Sequence, residues 1–176
     1  MKYLWMLLIF STSVFAETYK LESSIGSVDA ESGLRTCCGN AFAVTKDTIV
    51  TCWHTVEGKT HHKIKVQGKW IQATIIKRNI AEDLCLLKID KAILEPVEFK
   101  SSKIVTIGAD MTNEIKNHAV EMKYGILKSN YNLGISGSPV LEDGKLIGMI
   151  ITIDNDKGPT ESKFVSSAII KEFLNE

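Results

Sequence analysis

The chain has 176 residues, its 21 Lys and Arg are balanced by 21 Asp and Glu, and 44% of it is hydrophobic. Zero net charge excludes the broad basic field that nucleic-acid binding calls for, so no nucleic-acid partner is expected. The length suits one well-buried globular unit, and the apolar content can fill its core.

The chain opens with Met1-Lys2-Tyr3, an apolar run through Phe10, and Val14-Phe15-Ala16. A charged tip, an apolar stretch and a small residue at its end are the parts of a secretory signal peptide. The apolar run is shorter than the roughly 20 residues of a membrane span, so no stable membrane anchor is expected after cleavage. The expected organisation is a signal peptide over residues 1–16 and one folded unit over 17–176. The expected location is secreted or periplasmic.

Strand signals dominate the rest of the chain. Apolar and β-branched runs occupy Ala41 to Val44, Thr48 to Trp53, Ile64 to Val66, Trp70 to Ile76, Leu84 to Ile89, Ile104 to Ile107, Val120 to Leu127, Ser138 to Leu141 and Lys145 to Ile153. Lys46-Asp47, Gln67-Gly68 and Asp143-Gly144 have the residues of tight hairpins. A linker around Lys91 to Ser102 divides the runs into two groups, about 37–90 and 103–165. One helix is predicted after them, capped by Ser166 or Ser167, with Ile169, Ile170, Phe173 and Leu174 on one face.

Three segments carry chemistry. The run Thr48-Ile49-Val50-Thr51-Cys52-Trp53-His54 delivers a histidine at the end of a strand. Ala81-Glu82-Asp83-Leu84-Cys85-Leu86 places a carboxylate where a polar loop becomes an apolar strand. Gly134-Ile135-Ser136-Gly137-Ser138-Pro139 has the pattern Gly-x-Ser-Gly-x-Pro, whose glycines let backbone N–H groups turn inward around a serine. A serine hydroxyl needs a neighbouring base, and the base needs an orienting acid.

Taken together, His54, Asp83 and Ser136 stand in the chain order of the chymotrypsin triad, and the chain resembles the trypsin-like serine proteases. The resemblance covers most of residues 37–170 and is nearest to the HtrA-type and glutamyl endopeptidase-type branches. Gly39-Asn40-Ala41-Phe42 is similar to the strand before the histidine, and Val120 to Ser129 to the segment before the nucleophile loop. The resemblance implies an all-β fold of two antiparallel, six-stranded-type β-barrels with a short C-terminal helix. It implies a serine endopeptidase acting on polypeptides, with Ser136 as nucleophile, His54 as base and then acid, and Asp83 fixing the histidine tautomer. The N–H groups of Gly134 and Ser136 would form the oxyanion hole, and neither a metal nor an organic cofactor is required. The other functional classes open to the same residues are a catalytically silent binding protein and an ester hydrolase.

Several positions depart from the family pattern. Ile135 stands where chymotrypsin has the aspartate that pairs with a newly cut N-terminus, so no activation cut is expected. Trp53 replaces a small residue before the histidine, where an indole could crowd the cleft. Asn130 and Ile150 stand where the family places an aspartate or a histidine for charged side chains. A pocket of Asn130, Ile150, Ile151 and Thr152 is therefore expected to favour small or medium apolar side chains, unless the isoleucines point into the barrel core.

The cysteines Cys37, Cys38, Cys52 and Cys85 suit an exported protein with at least one disulfide. A vicinal Cys37–Cys38 bridge is disfavoured by geometry. The resemblance points to Cys38 or Cys37 with Cys52, and Cys52 with Cys85 is the rival. No Cys-x-x-Cys or His-x-x-x-His spacing supports a zinc site. His61, His62 and His118 are expected in loops or at strand edges.

Overall fold

The computed structural model describes residues 17–24, 37–100, 109–112, 117–123, 126–128, 135–153 and 161–176. The expected signal peptide, the expected strand at Ile104 to Ile107, and residues Asn130 and Gly134 lie outside them. Among the described residues no helix is long and apolar enough to cross a membrane.

The first six strands are β1 (Thr18–Ser24), β2 (Cys37–Ala43), β3 (Thr48–Cys52), β4 (His61–Val66), β5 (Lys69–Asn79) and β6 (Leu84–Lys88). They close into an antiparallel barrel in the order β1-β2-β3-β6-β5-β4. Strand alternation builds its core: His62, Ile64 and Val66 of β4 point inward while His61, Lys63 and Lys65 stay partly exposed. Tyr19 and Leu21 of β1 join Ile49, Ile64, Leu87 and Ile89 in the same interior. The barrel thus starts at Thr18, well ahead of the boundary near residue 37 expected from sequence. Gln67-Gly68 turns β4 into β5 with both residues at positive φ, 48° and 79°, which a right-twisted two-residue hairpin requires.

The second barrel comprises β7 (Ala109–Thr112), β8 (Asn117–Lys123), β9 (Ile126–Lys128), β10 (Pro139–Glu142), β11 (Lys145–Ile153) and β12 (Glu161–Ser166). It closes in the order β10-β11-β12-β9-β8-β7. Asp143 and Gly144, at φ 51° and 73°, make its predicted hairpin. After β6, residues 89–100 are irregular but tied to both barrels, through a bridge from Pro96 to Ala43 and another from Phe99 to Leu146.

A second apolar cluster joins the barrels. Phe42, Val50, Cys52 and Leu84 of the first pack with Leu141, Leu146, Met149 and Val165 of the second. The helix α2 (Ser167–Asn175) closes this cluster with Ile170 and Phe173, while Ile169 and Leu174 pack partly buried beside them. Ser166 caps it, its hydroxyl accepting from the Ile169 N–H at 3.5 Å. Lys77 of β5 reaches across to donate to the Phe173 carbonyl. The predicted all-β fold of two six-stranded barrels and a C-terminal helix is therefore the observed one. A four-residue helix, α1 (Trp53–Val56), also follows β3 and takes in Trp53, where the expected strand run ended.

Candidate active site

Strand register brings the histidine and the aspartate together. β3 pairs with β6 so that Cys52 lies opposite Leu84, and one step further Trp53 meets Asp83. There the Trp53 N–H donates to the Asp83 carbonyl at 3.0 Å. The next N–H, that of His54, donates to Asp83 Oδ1 at 2.8 Å. Asp83 Oδ2 lies 2.6 Å from His54 Nδ1, so the ring is anchored through one nitrogen and the other is left for chemistry. Asp83 adopts φ 53°, a left-handed conformation that Asp tolerates better than most residues. The turn leading to it is set by Glu82, whose N–H donates to Asn79 Oδ1 at 3.1 Å.

The serine loop is pinned beside this pair by residues that its motif does not contain. The Asn40 N–H donates to the Ser136 carbonyl at 2.8 Å. The Asn40 side chain donates from Nδ2 to Ser138 Oγ at 2.8 Å, in a buried position. Thr51 locks Asn40 in turn, donating from Oγ1 to its carbonyl at 2.7 Å. Thr55, next to His54, donates from Oγ1 to the Cys52 carbonyl at 2.7 Å and lies 3.4 Å from Thr51 Oγ1. A Cβ on Gly39 would stand 2.9 Å from Thr55 Cγ2 and 3.1 Å from the Ser136 carbonyl, which places the serine backbone against the residue after the histidine. From the other side, Gly137 N–H donates to the Ile150 carbonyl at 2.8 Å and Ile150 N–H to the Ser138 carbonyl at 3.0 Å.

Gly137 has no alternative in this arrangement. Its φ is 87°, and an added Cβ would lie 1.9 Å from the Asn40 carbonyl oxygen. The Ser136 hydroxyl itself has no hydrogen-bond partner among the described residues.

Trp53 does not enter the cleft. Its indole packs into the first barrel with Tyr19, Leu21 and Ile49, and the Arg78 guanidinium covers the ring at 4.8 Å from its centroid. Among the described residues its indole N–H finds no acceptor. Ile150 is fully buried, so its backbone rather than its side chain faces the loop. Ile151 is partly buried against the inter-barrel cluster, and Thr152 continues β11.

The expected disulfides are not formed: Cys37, Cys38, Cys52 and Cys85 are all free thiols. Register explains this correction. Thr51 is the residue opposite Cys85, so Cys52 lies on the other face of the strand pair. Cys85 accordingly packs into the first barrel and Cys52 into the inter-barrel cluster. Cys52 donates from Sγ to the Ile150 carbonyl at 3.2 Å, whereas Cys38 faces out of β2. Burial pushes the Cys85 thiol up to about 12, and burial with the nearby Asp83 carboxylate holds the Cys52 thiol well above its usual range.

Two closed antiparallel barrels, a His–Asp pair held by strand register and a Ser136-Gly137-Ser138 loop beside it are the frame of a trypsin-like serine endopeptidase. The family model described as a trypsin-like peptidase domain matches residues 39–149, and the chain belongs to that family. No curated protein matches the sequence. Among solved structures, the active form of the Rv3671c protease from M. tuberculosis superposes with a TM-score of 0.73 at 16% identity, covering 93% of this chain and 81% of that one. Its inactive form gives 0.68 at 17% identity, covering 90% and 87%. The serine endoprotease from Yersinia pestis gives 0.69 at 14% identity, covering 90% of this chain and 61% of that one. At such identities the likeness carries the fold alone.

Proposed function

We propose that the chain is an exported serine endopeptidase that hydrolyses peptide bonds through His54, Asp83 and Ser136. The observation that carries this reading is the two-point hold of Asp83 on His54. It keeps a proton on Nδ1 and leaves Nε2 as the basic nitrogen. Nε2 takes the Ser136 proton as Oγ attacks the scissile carbonyl, and the N–H groups of Gly134 and Ser136 hold the oxyanion. The imidazolium then protonates the leaving amine, and water releases the acyl-enzyme by the same steps in reverse. No ion pair from a new N-terminus is needed, because Ile135 is apolar and buried and Asn40 fixes the loop.

Residues 1–16 act in this reading as a signal peptide, with residues 17–176 as one peptidase domain in a periplasmic or secreted location. Mass spectrometry of exported protein reads this directly, with an N-terminus at Glu17 expected and retention of Met1 to Ala16 counting against it. The specificity pocket is assigned to Ile151, Thr152 and the backbone around Asn130, which favour small or medium apolar side chains. A fluorophosphonate probe followed by peptide-library profiling tests the whole reading. Labelling of Ser136 and cleavage after Val, Ala or Leu are expected. No labelling would favour a silent binding protein, and ester cleavage without peptide cleavage an esterase.

A further inference from the structure

The strand register that builds the His–Asp pair also sets a thiol beside it. Cys52 Sγ, a ring nitrogen of His54 and a carboxylate oxygen of Asp83 all lie within 4.8 Å of one another. Thiolate, imidazole and carboxylate are the three side-chain ligands of zinc. We propose that Cys52, His54 and Asp83 form a site for a thiophilic divalent cation, zinc foremost, and that its capture switches the peptidase off. The switch rests on the catalytic reading above, whereas the site itself does not.

The geometry needs only side-chain motion. Ligand atoms around a tetrahedral zinc stand about 3.3 to 3.7 Å apart, given bonds of about 2.0 to 2.3 Å. The His54–Asp83 contact of 2.6 Å must therefore open and the approach to sulfur close. The His54 and Asp83 side chains are 42% and 22% exposed, so the ion enters past the histidine while sulfur stays at the floor of the site. The Ile150 carbonyl that now accepts from Cys52 keeps its hydrogen bond from Gly137 N–H, so releasing the thiol gives up only the longer contact of 3.8 Å from Sγ to the Ile151 carbonyl. Three protein ligands leave the fourth position to water.

Charge and protons balance without any redox partner. The thiol loses its proton to solvent as the sulfur–metal bond forms. The neutral imidazole keeps one proton, which passes from Nδ1 to Nε2 as Nδ1 binds the metal. That tautomer is the inhibited state, because Nε2 then bears the proton and cannot accept one from Ser136.

The test separates site from switch. Cobalt titrated into the Ser136→Ala protein should give a thiolate-to-cobalt absorption band in the near ultraviolet that saturates at one equivalent and is displaced by zinc. Adding Cys52→Ala should abolish the band, and adding Cys37→Ser with Cys38→Ser should leave it. Should Cys52→Ala fail to fold, His54→Ala in the same background must still remove the band at the same cobalt concentrations. No band at saturation, or a band that survives Cys52→Ala or, where that variant does not fold, His54→Ala, overturns the site. In the wild-type chain, saturating zinc should slow fluorophosphonate labelling of Ser136 at least about tenfold, with recovery on chelation. Undiminished labelling overturns the switch. A chain that never labels, even after chelation, overturns the switch together with the catalytic reading, and the cobalt band still decides the site.

Discussion

Asp83 holds His54 by both backbone and ring, its Oδ1 accepting the His54 N–H at 2.8 Å and its Oδ2 facing Nδ1 at 2.6 Å. An amide in its place could still accept from one nitrogen but would present a donor to the other. Asp83→Asn should therefore leave the fold intact and lower kcat by about 10⁴-fold through the wrong tautomer. Ser136→Ala or His54→Ala should remove nearly all turnover. Peptide hydrolysis by the Ser136→Ala protein at the wild-type rate would sink the assignment.

Asn40 couples the first barrel to the serine loop through Ser138. Asn40→Ala should destabilise the protein by about 1–3 kcal/mol, because a buried hydroxyl loses its donor. Combined with Ser138→Ala it should show a coupling of about 0.5–3 kcal/mol in a double-mutant cycle of urea unfolding. Additive single effects would mean that the contact does no positioning.

Gly137→Ala meets both a positive φ and the Asn40 carbonyl. The expected loss is at least about 1 kcal/mol of stability, with fluorophosphonate labelling slowed as the loop shifts. Unchanged labelling would show that the loop accommodates a Cβ without moving Ser136.

His62 is buried with Nδ1 3.1 Å from Ser23 Oγ, and burial lowers its pKa from the ordinary 6.5. The neutral form is favoured on folding, so below 6.5 the unfolded chain binds the extra proton first and stability rises with pH. This contribution is full above the unfolded value and is lost as pH falls toward the lower folded value. His62→Asn should flatten the urea-unfolding profile in that window. An unaltered slope would assign it to other groups.

Thiol reactivity follows position. Cys38, exposed on β2, should react with a disulfide reagent in the native protein, while Cys52 and Cys85 should react only on unfolding. Four thiols should titrate in denaturant without reductant. A count of two would restore a disulfide.

Much of this was legible in the chain. Alternation marked β4, an apolar run marked β6, the pairs Gln67-Gly68 and Asp143-Gly144 marked two hairpins, and Ser166 with an apolar stripe marked α2. The three chemical segments were readable because each sits at the end of a strand, where local pattern is strong. Less local features were hidden. β1 has only Tyr19 and Leu21 as its apolar alternation and is stabilised by partners distant in sequence. α1 is too short to show a helical period. The side that Cys52 and Trp53 face depends on a register that no residue type announces, so the sequence alone points to a bridge at Cys52 and leaves the direction of the Trp53 indole open. The role of Asn40 depends on a loop almost a hundred residues away, and a polar residue beside Gly39 gave no sign of it.

The cluster shared by the barrels and α2 also has a temporal meaning. Synthesis runs from the N-terminus, and early segments fold first. All strands that set His54 against Asp83 precede Lys91, whereas the loop of Ser136 and the sealing residues Ile170 and Phe173 come last. A nascent chain thus carries an assembled base with nothing to activate, and the proposed chemistry begins only once the final helix has docked.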